Sequence, residues 1–141
     1  DIGVHKLFEL EQEQYMFDFS IINLGANLLI NSSEQIFTEK MKSLLKFNIR
    51  STRYKDIFDM YYLSQHVDSY ALCRCLDTCI FSDSRMRENN LQEILARLEF
   101  TFQNKNYLKR VDRAKTKWID LEIDTVVEGI KSALEKCKQI E

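Results

Sequence analysis

Residues 34–63 run EQIFTEKMKSLLKFNIRSTRYKDIFDMYYL, and their spacing decides the fold. Phe37, Met41, Leu44 and Leu45 recur at helical intervals and form one apolar stripe. Ser32 or Ser33 stands where an N-cap is needed. Glu34 falls in the first turn, where a carboxylate suits the positive end of a helix. The stripe predicts a helix ending near Phe47–Ile49, and the polar stretch Arg50–Arg53 reads as a loop. Tyr54, Ile57, Phe58 and Tyr61 then face inward from a second helix over about Tyr54–Gln65.

Helical signals continue downstream. Asp68 is placed to cap a third helix reaching about Phe81, and Ser82–Asn89 is polar and reads as a loop. Further helices are predicted at about Asn90–Gln103, Tyr107–Trp118 and Asp124–Gln139. In the last, Val127, Ile130, Leu134 and Cys137 share a face. The chain has no Pro and only three Gly, so breakers are scarce. The first thirty residues differ. Ile2 and Val4 alternate with polar neighbours, and Tyr15–Leu24 is rich in aromatic and β-branched residues. One or two strands are predicted there, joined by the acidic stretch Glu9–Glu13. Two strands do not make a stable sheet alone. The chain also opens on Asp1 without an initiator Met, so the rest of the sheet is expected upstream of that cut edge. The expected class is mainly α (α+β): a β remnant over 1–30, then a bundle of about five or six helices over 31–141.

Composition narrows the function classes. A chain of 141 residues suits one domain, and 45% hydrophobic residues with nine Phe can fill a core. A formal charge of −2 gives no global reason to expect nucleic acid or a membrane. No apolar run is long enough for a membrane span, and nothing reads as a signal or transit segment. Cys73, Cys75, Cys79 and Cys137 lack zinc-ligand spacing and read as buried small hydrophobes in a reducing, cytoplasmic setting. His5 and His66 have no nucleophile beside them.

Charge patterning is more informative. Lys40, Lys42, Lys46, Arg50, Arg53 and Lys55 give six cations with no acid from 41 to 55, a patch suited to phosphate groups. Asp56 and Asp59 lie three apart on the following helix, so both carboxylates share a side. The plainer alternative is a solvated helix face with Lys55 and Asp59 as a surface pair. A second cluster, Lys105, Lys109, Arg110, Arg113, Lys115 and Lys117 with Asp112, admits RNA contact or, again, a solvated face. Tyr61 is expected to pack inward, Tyr62 to lie at the rim and Trp118 to pack on the last helix.

Glu39-Lys40-Met41-Lys42-Ser43-Leu44-Leu45, followed by Arg53-Tyr54-Lys55-Asp56-Ile57-Phe58-Asp59-Met60-Tyr61-Tyr62-Leu63, resembles the signature of the AbiEii/AbiGii-type nucleotidyltransferase toxins. That family shows an AEKL…LL helix, a basic loop, and an R-x-KD-hydrophobic-aromatic-DLY-x-L helix. Thr38 and Met60 are mild departures. The resemblance implies a polymerase-β-like nucleotidyltransferase, with the β segment belonging to its core sheet. Such proteins carry a Gly-Ser motif and an Asp-x-Asp pair that hold metal and triphosphate. Neither occurs here, and Asp120-Leu-Glu122-Ile-Asp124 reads as a chance match, so no metal ligand is assigned. By the same resemblance Lys40 would contact nucleotide phosphates and Asp56 would be the acidic residue required for activity, supported by Asp59 and Lys55. Arg53 joins Lys40 and Lys55 in the nucleotide-binding set, and Asp1 would be a third carboxylate. The implied whole protein uses Mg²⁺ and NTP and acts on an acceptor such as tRNA or another RNA, in a type IV-like abortive-infection system with a cognate antitoxin. This segment by itself is expected to be inactive and to bind neither Mg²⁺ nor NTP unaided. The competing readings are a non-catalytic helical interaction module and a small RNA-binding domain.

Overall fold

A computed structural model describes residues 10–19, 24–115 and 118–137. Strand β1 (Glu13–Phe19) pairs antiparallel with β2 (Leu24–Ile30), in register from Glu13↔Ile30 to Phe19↔Leu24. At the open end of this hairpin the Gln12 side-chain amide donates to Asn31 Oδ1 at 3.1 Å. Both strands fall within the first thirty residues, where one or two are expected. Gly25 and Asn27 are weak strand formers, so β2 owes its conformation to its partner rather than to propensity. The Ile2–Val4 strand lies outside the described residues.

Six helices follow. Helix α1 (Ser33–Phe47) starts at Ser32, whose hydroxyl accepts from the Gln35 N–H at 3.2 Å, and buries Phe37, Met41, Leu44 and Leu45. It ends at Asn48, with φ 53°, a left-handed conformation that Asn tolerates better than most residues. The Asn48 Oδ1 accepts from the Ile49 N–H at 2.8 Å and from the Thr101 hydroxyl at 2.6 Å. A short 3₁₀ turn (Asn48–Arg50) leads into α2 (Tyr54–Ser64), which buries Ile57, Phe58 and Met60. Helix α3 (Ser69–Leu76) is capped by Asp68 and widens into a π-helical turn over Asp77–Phe81, so the helical path reaches Phe81 as the sequence predicts. The Asp68 N–H donates to Glu34 Oε1 at 2.8 Å, tying the start of α3 to the start of α1 and giving the buried Glu34 a partner.

Helix α4 (Leu91–Gln103) is capped by Asn90. Helix α5 (Lys105–Lys115) begins two residues before the predicted start because Asn104 Oδ1 accepts from the Tyr107 N–H at 2.9 Å. Helix α6 (Ile123–Cys137) buries Val127, Ile130, Leu134 and Cys137, the predicted face. One apolar core joins all six helices. Close approach of α6 to α2 requires Gly129: a Cβ there would sit 2.6 Å from the Tyr61 ring.

Two expectations need correction. Trp118, expected to pack on the last helix, is about half exposed, and its ring lies 5.4 Å from the Lys55 ammonium on α2. A cation over an indole face is favourable and keeps the ring wet on one side. Of the four cysteines, only Cys75 and Cys137 are buried; Cys73 and Cys79 are half-buried, and all four are thiols. Burial pushes the Cys75 thiol up to about 11. Among the described residues no helix is long and apolar enough to cross a membrane.

Candidate functional site

Lys40 follows the buried Phe37 by three residues and precedes the buried Met41 by one, so it leaves α1 at the edge of the apolar stripe. Asp56 and Asp59 stand at the equivalent edge of α2, each one residue before a buried side chain, Ile57 and Met60. Packing the two stripes together brings these edges into contact. The Lys40 ammonium donates to Asp56 Oδ1 at 2.7 Å and to Asp59 Oδ2 at 2.9 Å. Lys55 donates to both oxygens of Asp59, at 3.0 and 2.8 Å, and Arg53 Nε stands 3.2 Å from Asp56 Oδ2. The structure therefore gathers all five site residues singled out from the sequence into one network.

The network has a sheltered centre and an exposed rim. The Lys40 and Asp56 side chains are 21% and 13% exposed, against 53% for Lys55 and 66% for Arg53. The central charge-assisted bonds are therefore the strong ones, and the rim pairs contribute only tenths of a kcal/mol. Partial burial alone would lower the Lys40 pKa. The hydrogen bonds and charges of Asp56 and Asp59 outweigh it, and the net shift is upward. For Asp59, desolvation acts to raise the pKa, but the bonds from Lys55 and Lys40 prevail and hold it below the ordinary carboxylate value. At neutral pH Lys40 is thus a fixed cation, suited to neutralising an anion and unsuited to accepting a proton.

Lys40 and Asp56 of this network line a cleft of about 640 Å³, within the size range of small-ligand sites. Lys42, Lys46 and Arg53 also line it. So do Asp83 and Arg85, which the sequence reading missed inside the Ser82–Asn89 loop. Asp83 accepts from Lys42 at 2.8 Å and takes a two-pronged contact from Arg85, at 2.9 and 2.8 Å. The Arg85 guanidinium, then Lys42, hold the Asp83 carboxyl far below its ordinary value, and the same contact raises Arg85. An Asp-x-Arg step in a polar loop carries no local sign that its partner lies on α1, so only the tertiary fold reveals it.

Other predicted features fall elsewhere. Asp1 lies outside the described residues. Asp120, Glu122 and Asp124 are exposed, and Glu122 reaches Lys115 at 3.6 Å. Among the described residues no group of three or more His, Cys, Asp or Glu is placed to hold a metal. Asp56 and Asp59 do not suit a divalent cation either, because all four of their oxygens are engaged by Lys40, Lys55 and Arg53. No metal step is assigned to them. On α5, Arg110 donates to the Ile49 carbonyl at 2.7 Å and Lys115 pairs with Asp112 at 2.9 Å, while Lys117 lies outside the described residues. Tyr61 packs against the core, and Tyr62 is exposed beside His66, ring centroids 4.9 Å apart, as the sequence predicts.

The family model described as nucleotidyl transferase AbiEii toxin, type IV TA system, matches residues 1–128. No curated protein and no solved structure matches the chain.

Proposed function

Since the chain belongs to the AbiEii family of nucleotidyl transferase toxins of type IV toxin–antitoxin systems, we propose that the α1–α2 cleft holds the phosphates of a nucleoside triphosphate during nucleotidyl transfer. In such a reaction an acceptor hydroxyl attacks the α-phosphorus. The bond from that phosphorus to the β-phosphate bridging oxygen breaks, pyrophosphate leaves, and the hydroxyl proton passes to solvent. Little covalent chemistry falls to the protein, so positioning and charge neutralisation dominate.

The observation that carries this reading is the Lys40 ammonium pinned between Asp56 and Asp59 in a cleft whose other walls bear Lys42, Lys46, Arg53 and Arg85. Lys40 would meet the phosphates, with Arg53 and Lys55 at the rim. Asp56 and Asp59 act through Lys40, fixing its position and its charge. The acceptor in this reading is RNA, with tRNA as the first candidate, and a cognate antitoxin controls the activity. Because the sequence has no Gly-Ser…Asp-x-Asp pattern, this chain on its own is expected not to turn over.

The test is transfer of a labelled nucleotide to cellular RNA by the intact gene product, with Mg²⁺ present. Lys40→Ala and Asp56→Ala should each lower the rate by about a hundredfold or more, the scale of a lost preorganised electrostatic contact. Undiminished labelling in both variants would overturn the assignment.

A further inference from the structure

A second cleft adjoins the first. It has a volume of about 370 Å³ and shares Lys46, Phe47, Arg85 and Met86 with the α1–α2 cleft, so the two are continuous around the C-terminal end of α1. Its further walls include Arg50, Arg87, Arg97 and Phe100. The one acid there, Glu88, is buried and bound by Arg97 Nε at 3.2 Å. Among the described residues no salt bridge engages Lys46, Arg50 or Arg87. Cations left without counter-charges make a field that attracts phosphates.

Two large aromatic side chains stand among these cations. Phe47 is 46% exposed and Phe100 is 59% exposed. Exposed rings beside unpaired cations are what a single-stranded nucleic acid uses: bases stack on the rings while phosphates meet the charges. A plain phosphate-binding pocket has no use for the rings, and an apolar docking groove has none for the cations. Past Ile49 the surface continues onto α5 with Lys109 and Arg110.

We propose that this second cleft seats a single-stranded polynucleotide, with phosphates on Lys46, Arg50 and Arg87 and a base stacked on Phe100, and so leads the acceptor end to the nucleotide cleft. The proposal rests on the nucleotidyl-transfer reading for its role in catalysis, but strand binding is measurable without turnover.

The experiment is fluorescence anisotropy of the whole chain with a labelled single-stranded oligoribonucleotide of about a dozen residues, over a salt series. The double variant Arg50→Gln/Arg87→Gln should weaken binding about tenfold or more. It should also flatten the slope of log affinity against log salt by roughly 1.4, as expected for two lost phosphate contacts on a single strand. Phe100→Ala should weaken binding by about tenfold with the slope intact, and Phe100→Trp should restore it. Undetectable binding by the parent chain, or unchanged affinity and slope in the double variant, would overturn the proposal. So would polyglutamate bound as tightly as RNA and lost in the same variants, which would mark the surface as one for an acidic protein. Nucleoside triphosphate affinity of the intact gene product, carrying the same substitutions, separates the two readings. It should fall in Lys40→Ala and persist in the Arg50/Arg87 variant.

Discussion

The two sides of α2 differ sharply. One side carries Ile57, Phe58 and Met60 into the core, where each is nearly inaccessible. The other carries Asp56 and Asp59 to Lys40, with Asp56 lining the cleft. The apolar side stabilises by removing surface from water, a term with little dependence on pH or salt. The charged side contributes less to stability, but it decides where a cation sits and keeps it charged. One helix thus separates what holds the fold from what gives it chemistry, and substitutions should separate the two in the same way.

The largest effect is expected from Ile57→Ala, which removes a fully buried side chain. It should cost about 2–5 kcal/mol in denaturant unfolding while leaving nucleotide affinity of the folded intact gene product unchanged. If nucleotide affinity fell in step, the division between the sides would be broken. Next is Lys40→Met, which keeps the apolar stem and deletes the charge. It leaves Asp56 and Asp59 facing each other and should cost about 1–3 kcal/mol, the range for lost bonds to charged groups.

The pH dependence of that difference sharpens the comparison. Asp59 is held below its ordinary value of 3.8, so its contribution is complete above that pH and is lost as acid titrates it. Lys40 is held above 10.5, so its contribution is complete below that pH and fades in stronger alkali. The gap between parent and Lys40→Met should therefore be flat between these two values and narrow beyond each. A gap that changed across neutral pH would point to a different partner for Lys40.

Gly129→Ala tests the apolar side from its neighbour. Alanine favours helix by up to about 1 kcal/mol. The new methyl would stand 2.6 Å from the Tyr61 ring, and crowding of this kind typically costs about 1–3 kcal/mol. Steric cost should win by about 1 kcal/mol, read as a lowered Tm. The smallest effect is expected at the rim: Lys55→Ala should change stability by no more than about 0.5 kcal/mol, because its pair with Asp59 is exposed. It should also shift Trp118 emission to the red and increase its quenching by neutral acrylamide, since the ammonium no longer covers that ring.

Much of this was legible from periodicity. The 3.6-residue stripe around Phe37 and Met41 and the one around Ile57 fix both helices and their facing sides, and the placement of Lys40, Asp56 and Asp59 at the edges follows from them. The family resemblance assigned Lys40, Asp56 and Asp59 to one site, and the ion pairs between them emerge only in the fold. What escaped notice depends on contacts between distant segments. Asp83 and Arg85 look like loop polarity until Lys42 is seen beside them. Strand β2 has poor intrinsic propensity and exists through its partner. Trp118 is expected on the last helix, and only the fold shows the Lys55 ammonium over its half-exposed ring.

Asn48 has a wider consequence. Its side-chain oxygen joins the corner after α1 to Thr101 in the last turn of α4. The corner around which the two clefts join is therefore tied to a packed helix, although it runs through a turn. The separation of groups bound on either side of it works as a gauge, set by the scaffold and indifferent to which ligand arrives first.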